Sequence, residues 1–186
     1  MSAQILDKKR LLKQLLEGRQ IYNIISSNKM NGPWTNHPAV KMWRNYDNAL
    51  FDYLLAIKIE CNTRGIETTK NWEAITTMHK NNWNRGSGTV LPPWWGDDRV
   101  HLSHRQNLYN KDKEYYAFFI EDSRLSAVSC CEKCNYFWPV ANHAKDYTPS
   151  PTVSLLKNKP ENAMAVAMYI KNNQPVDKTL LINLDW

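Results

Sequence analysis

Glu17 stands in "LDKKRLLKQLLEGRQ", residues 6–20, surrounded by Lys8, Lys9, Arg10, Lys13 and Arg19. A carboxylate in such a field can move protons beside a phosphate-binding surface, which is general acid–base work. The plainer alternative is an ion pair with Lys13 one turn earlier, worth about 0.2–0.5 kcal/mol. Residue types alone leave both open. A second constellation is "WWGDDRVHLSHRQNLYNKD", residues 94–112, where His101 and His104 are spaced to point the same way from a helix. With Asp97 or Asp98 they could hold a metal, as in a metal-dependent nuclease. The favoured reading is an anion-binding face, because Ser103, Arg105, Asn107 and Lys111 add donors where a catalytic metal would call for more carboxylates. The third is "CCEKC": Cys131 and Cys134 form one Cys-x-x-Cys pair, Cys130 adjoins it and His143 follows. Structural zinc wants four ligands and the second pair is missing, so Cys131, Cys134 and His143 are weak metal candidates and plain thiols are favoured.

These residues need elements to position them. Residues 3–27 read as a helix with Leu11, Leu12, Leu15, Leu16, Ile21, Tyr22 and Ile25 at spacings of three and four, and with Arg10, Lys13, Glu17 and Gln20 as a polar stripe. Gly18 weakens that helix unless something approaches its backbone closely. A turn-rich loop over 26–38 precedes a second helix over 39–64, whose apolar side is Val40, Trp43, Leu50, Tyr53, Leu54, Ile57 and Cys61 and which Gly65 closes. Further helices fit 70–83, 99–110 capped by Asp97 or Asp98, and a short one over 111–119. Trp34, Trp43, Trp94 and Trp95 are core anchors or stacking platforms, and core is the expectation for each. Beyond residue 120 the periodicity fades. "TPSP" reads as a linker, "KPENAMAVAMYIKN" as a helix and "KTLLINL" as a short strand. The fold class is all-α: a compact helical domain over 1–140 and an irregular C-terminal extension over 141–186.

At 186 residues the chain can bury a core without disulfide or metal staples. It contains no apolar run long enough for a membrane span and no secretory h-region, so the expectation is a soluble cytoplasmic protein. Three of the four cysteines crowd into residues 130–134, unlike a secreted disulfide framework, which points to a reducing compartment. Residues 1–46 hold eight Lys and Arg against Asp7 and Glu17, which accounts for the whole net charge of +6. Such asymmetry suits a polyanion, nucleic acid being the commonest, since bound cations release counterions from phosphates. A solvated helix face is the bland alternative.

Five segments in order, "SAQILDKKRLLKQLLEGRQIYNII", "NHPAVKMWRNYDNAL", "ECNTRGI", "PPWWGDDRVHLSHRQNLYNKDKEYY" and "YFWPV", resemble the successive blocks of the pyrimidine-dimer DNA glycosylase family. The likeness is to its bacterial members first and more faintly to the phage endonuclease V type repair enzyme, and it covers roughly residues 2–140. The resemblance implies an all-α fold whose N-terminal segment threads between helices. It also implies a partner in double-stranded DNA and a reaction needing no cofactor. The α-amine exposed by loss of the initiator Met attacks the sugar C1′, a Schiff base forms with help from a glutamate on the first long helix, and β-elimination cuts the strand. By block alignment the glutamate falls on Glu17 and the amine on Ser2. An α-amine titrates near 8, so a useful fraction is nucleophilic at neutral pH. Arg10, Arg19, His37, Arg44, His101, His104, Arg105 and Lys111, with Lys13, would hold phosphates around a kinked duplex. A viral or phage source fits the same resemblance.

The sequence departs from the family in having little chain ahead of "SAQILD". Were residues 3–17 one helix, Ser2 and Glu17 would be about 22 Å apart at about 1.5 Å per residue, and joint chemistry would require the chain to double back. Two alternatives follow. Lys13, one turn from Glu17 and beside Lys9 and Arg10, could form the Schiff base instead. Or the chain is a non-catalytic nucleic-acid-binding or interaction protein on the same scaffold.

Overall fold

The computed structural model describes residues 2–28, 31–82, 90–119 and 135–140. Its elements are α1 (Ser2–Ile5), α2 (Lys8–Ser26), α3 (Pro38–Trp43), α4 (Asp47–Thr63), α5 (Thr69–Asn82), α6 (Asp98–Lys111) and a single 3-10 turn at Ala117–Phe119. The all-α expectation holds, with no strand among the described residues. The chain divides into two compact units, Met1–Pro92 and Pro93–Trp186, so the Pro-Pro pair of "VLPPWW" marks a boundary within the span 1–140. The linker, helix and strand expected beyond residue 141 lie outside the described residues, as do Cys131, Cys134 and His143.

In the first unit α2 is the central element, packed against α3, α4 and α5. Asp7 starts it: its carboxylate accepts from the Arg10 backbone N–H at 3.0 Å and pairs with the Arg10 guanidinium at 3.4 Å, satisfying donors a helix start leaves orphaned. The stripe Leu11, Leu15, Gly18, Tyr22 and Ile25 is buried, as the periodicity predicts, while Leu16 is exposed. At Gly18 the close approach that the sequence allowed is real. A Cβ there would stand 2.3 Å from Leu54 Cδ2, and Leu54 is itself fully buried, so any other residue would force that buried side chain to shift.

Both long helices read from periodicity are broken, a correction in each case. The span 3–27 turns at Leu6–Asp7, because Arg64 reaches across from the end of α4 and donates to three main-chain carbonyls of the first segment. Its Nη1 bonds Leu6 O at 2.6 Å, and its Nη2 bonds Gln4 O at 2.6 Å and Ala3 O at 3.4 Å. Its Nε is held by Glu60 at 2.6 Å. The span 39–64 breaks at Arg44–Tyr46, where Asn45 takes φ 70° and the Tyr46 N–H turns back to Trp43 O at 2.9 Å; Asn is one of the few residues that adopts this left-handed conformation readily. Gly65 closes α4 as expected. With φ 65° it lets Ile66 N bond Cys61 O at 2.8 Å and Gly65 N bond Asn62 O at 3.0 Å, a Schellman pair sealed by buried Ile66.

The second unit is organised by α6. Asp97 is fully buried and caps it, accepting from Arg99 N at 3.0 Å and holding the Arg99 guanidinium at 3.0 and 2.8 Å. The short helix expected over 111–119 is a turn followed by the Ala117–Phe119 3-10 segment, with Tyr116 fully buried and stacked on Phe119.

Candidate functional site

Glu17 projects from the edge of α2's buried stripe with its side chain 36% exposed, and its Oε1 lies 3.5 Å from Lys13 Nζ. Lys13 is 63% exposed, so the pair alone contributes little to stability. Its chemical meaning is proximity: the two groups are within reach of proton exchange. Arg10 and Gln14 lie on the same side of α2, two turns and one turn before Glu17 respectively. Arg19, two residues from Glu17, points to the opposite side of the helix, so α2 separates those two.

One turn before Glu17, Gln14 is held by α4, a contact that sequence reasoning missed. The Tyr53 hydroxyl of α4 donates to Gln14 Oε1 at 3.0 Å. Burial pushes its pKa up, so Tyr53 remains a neutral donor and orients the Gln14 amide. Trp43 leans on Tyr53 with ring centroids 5.9 Å apart. A polar Gln14 falling four residues before Gly18, on the flank of an apolar stripe, was the available signal.

His37 and Arg44 belong to the neighbouring loop and α3. His37 caps α3, its Nδ1 accepting from Ala39 N at 3.2 Å, and its ring stacks on Trp34 at 4.8 Å and 25°. Trp34 is 42% exposed, so the expectation that it anchors a core is corrected. The loop is instead closed by small buried Thr35, whose hydroxyl bonds Gly32 O at 2.8 Å. Arg44 Nη2 reaches Thr35 O at 3.5 Å and borders a polar cleft of about 210 Å³ with Ser26, Asn28, Asn45, Asp47 and Asn82. Of the other tryptophans Trp94 is buried as expected, with Trp95 leaning on it.

The second unit carries the remaining candidates. His104 Nδ1–H donates to Val100 O at 2.7 Å, which leaves Nε2 as an acceptor in the neutral ring. Toward a phosphate His104 therefore acts only when protonated, and burial lowers its pKa. His101 Nε2 is buried with no hydrogen-bond partner, and burial, reinforced by His104 and Arg105 and opposed by Asp97, holds that ring down to about 4. Lys111 Nζ donates to the Tyr136 hydroxyl at 2.9 Å, and the Arg105 guanidinium lies 5.9 Å from the Phe119 ring centroid. Among the described residues no three His, Cys, Asp or Glu side chains group to hold a metal ion, and Asp97, a ligand in the metal reading, is committed to Arg99.

A pH dependence follows. An unfolded histidine titrates near 6.5, while folded His101 does so only at about 4, so protons bind the unfolded chain preferentially between those values. Stability is fully present above about pH 6.5 and declines as pH falls toward 4. Melting temperatures between pH 7.5 and 4.5 should show this slope, and His101→Leu should make it shallower, with His79 and His104, whose pKa values burial also lowers, supplying the remainder; an unchanged slope in the variant would place its origin elsewhere.

Residues 1–74 match the family model described as pyrimidine dimer DNA glycosylase. No curated protein and no solved structure matches the chain. No helix among the described residues is long and apolar enough to cross a membrane.

Proposed function

We propose, from the match of residues 1–74 to the pyrimidine dimer DNA glycosylase family model, that this chain binds duplex DNA and removes a damaged or modified pyrimidine through an imine intermediate. Glu17 serves as the proton-transferring group. The observation supporting this most directly is Glu17 at 3.5 Å from an amine, Lys13 Nζ, on the helix that the family match covers. In the first step an amine lone pair attacks C1′, the C1′–N bond breaks, and the departing base takes up a proton. Loss of a proton from the amine nitrogen and opening of the sugar give the Schiff base. Removal of a C2′ proton then expels the 3′ phosphate. Each step needs a group that accepts and returns protons, a role a carboxylate in a basic groove can fill.

Two amines are candidates. Lys13 is adjacent to Glu17, which can accept its proton. The Ser2 amine is the one the family resemblance implies, on α1, which leaves the line of α2 at Leu6–Asp7. Arg10 and Arg44, with His37, supply phosphate contacts in the first unit; Arg105 and Lys111 do so from α6, while burial disfavours the protonated His101 and His104 rings that a phosphate would need. The exposed Glu17–Lys13 pair also suits the second reading, a DNA-binding protein without chemistry, since surface ion pairs of this kind are common on inert helices.

Borohydride trapping separates the two. The wild-type chain is incubated with a duplex carrying a cyclobutane pyrimidine dimer and, separately, with one carrying an abasic site. A covalent adduct is expected, and peptide mapping assigns it to Ser2 or Lys13. Salt-dependent binding to both duplexes without an adduct would establish the binding-only reading.

A further inference from the structure

The loop before α3 holds a tryptophan where burial would be expected. Trp34 is 42% exposed, yet nothing about its setting is loose. Thr35 N bonds Gly32 O at 3.2 Å and His37 N bonds Trp34 O at 3.0 Å. The buried Thr35 hydroxyl locks the same turn, and His37, pinned by its cap bond to Ala39, lies nearly parallel to the indole at 4.8 Å. One face of the indole is thus backed by an aromatic ring whose own orientation is set by a helix cap. Holding an aromatic of this size rigidly in water forgoes burial of its apolar surface.

We propose that the Trp34–His37 pair is a stacking platform for a single unpaired nucleobase of the DNA. This rests on the glycosylase reading above for its DNA partner, but not on the chemistry at Glu17. Three observations fit a nucleobase better than an apolar protein segment. The exposed ring is a single indole backed by His37, the size of one base. Arg44, which touches the carbonyl of Thr35 next to Trp34, offers a guanidinium to the phosphate of the stacked nucleotide. The net charge excess of the chain resides in residues 1–46, the stretch that contains this loop. Every base has a π face, so such a platform takes an extruded or single-stranded base without selecting its sequence.

The test uses the full chain and two duplexes of identical sequence, one fully paired and one with a single unpaired 2-aminopurine. Wild type should bind the unpaired-base duplex about 10-fold more tightly, the scale of one base–aromatic stack, and quench the 2-aminopurine fluorescence. Trp34→Ala should bring that affinity to the paired-duplex level and abolish the quench, with paired-duplex affinity unchanged. Trp34→Phe should keep part of both, and an unaltered thermal melt shows that the variants fold. Trp34→Ala that retains preference and quench overturns the proposal, as does an equal loss on both duplexes. A wild-type dimer that Trp34→Ala dissociates would also overturn it by assigning the ring to self-association. Wild type that releases base but shows no preference sinks the platform alone. Failure to bind either duplex removes the glycosylase reading as well.

Discussion

Glu17→Gln is expected to lower the rate of base release by about 10²–10⁴-fold, the range that a positioned general acid–base contributes, with duplex affinity unchanged or tighter. The substitution preserves shape and hydrogen-bonding reach while removing the ability to take up a proton. Its structural cost is small. Glu17 is partly exposed and its ion pair is with a lysine, Lys13, that is more exposed still. Loss of a pair of that kind costs about 0.5 kcal/mol or less. Affinity should hold or rise because a negative charge leaves a surface that meets phosphates. Single-turnover release of base from a dimer-containing duplex, run beside equilibrium binding at two salt concentrations, reads the two effects separately. A variant as fast as wild type would remove Glu17 from the chemistry even if trapping succeeds, and would move attention to Lys13 and its other neighbours on α2.

The largest stability effect is expected at Arg64. Its guanidinium is three-quarters buried, and it satisfies Glu60 together with the carbonyls of Ala3, Gln4 and Leu6. Arg64→Ala leaves the mostly buried Glu60 carboxylate and the C-terminal carbonyls of α1 without these donors. Breaking a buried ion pair typically costs about 3–5 kcal/mol. Residual solvent access places this one near about 3 kcal/mol, equivalent to a melting temperature lowered by about 6–12 °C in a chain of this size. The loss should be local first: amides of Ala3 to Leu6 should exchange faster while those of α4 retain protection. Arg64→Lys should recover the charge and little else, because an ammonium cannot reproduce the planar fork that spans three carbonyls and a carboxylate. If Arg64→Ala melts like wild type, burial of Ala3 and Leu6 against α4 is sufficient to hold α1. Because Arg64 orients the segment that leads to Ser2, trapping yield in Arg64→Ala also distinguishes the amines. An adduct on Ser2 should diminish and one on Lys13 should not.

Whatever depends on neighbours within a turn or two is legible along the chain. The stripe from Leu11 to Ile25 was readable because helical period alone puts those residues on one side. The end of α4 at Gly65 and the start of α6 at Asp97 were readable because caps are chosen by backbone conformation and by short-range hydrogen bonds. Glu17, Lys13 and their basic company, and the ordered segments that resemble a glycosylase family, were legible for the same reason. Where the first long helix breaks is fixed by a distant partner, because the carbonyls that end α1 are claimed by Arg64, some 58 to 61 positions away. The same holds for Gln14, one turn before Glu17, whose partner Tyr53 lies 39 positions on. Trp34 was misread by composition, which favours burial of tryptophan. Whether an indole is covered depends on which elements reach it, and here the loop's own hydrogen bonds and the cap at His37 hold it at the surface. Periodicity and capping are local energies and leave a local trace; long-range partners of polar groups leave none until the chain is folded.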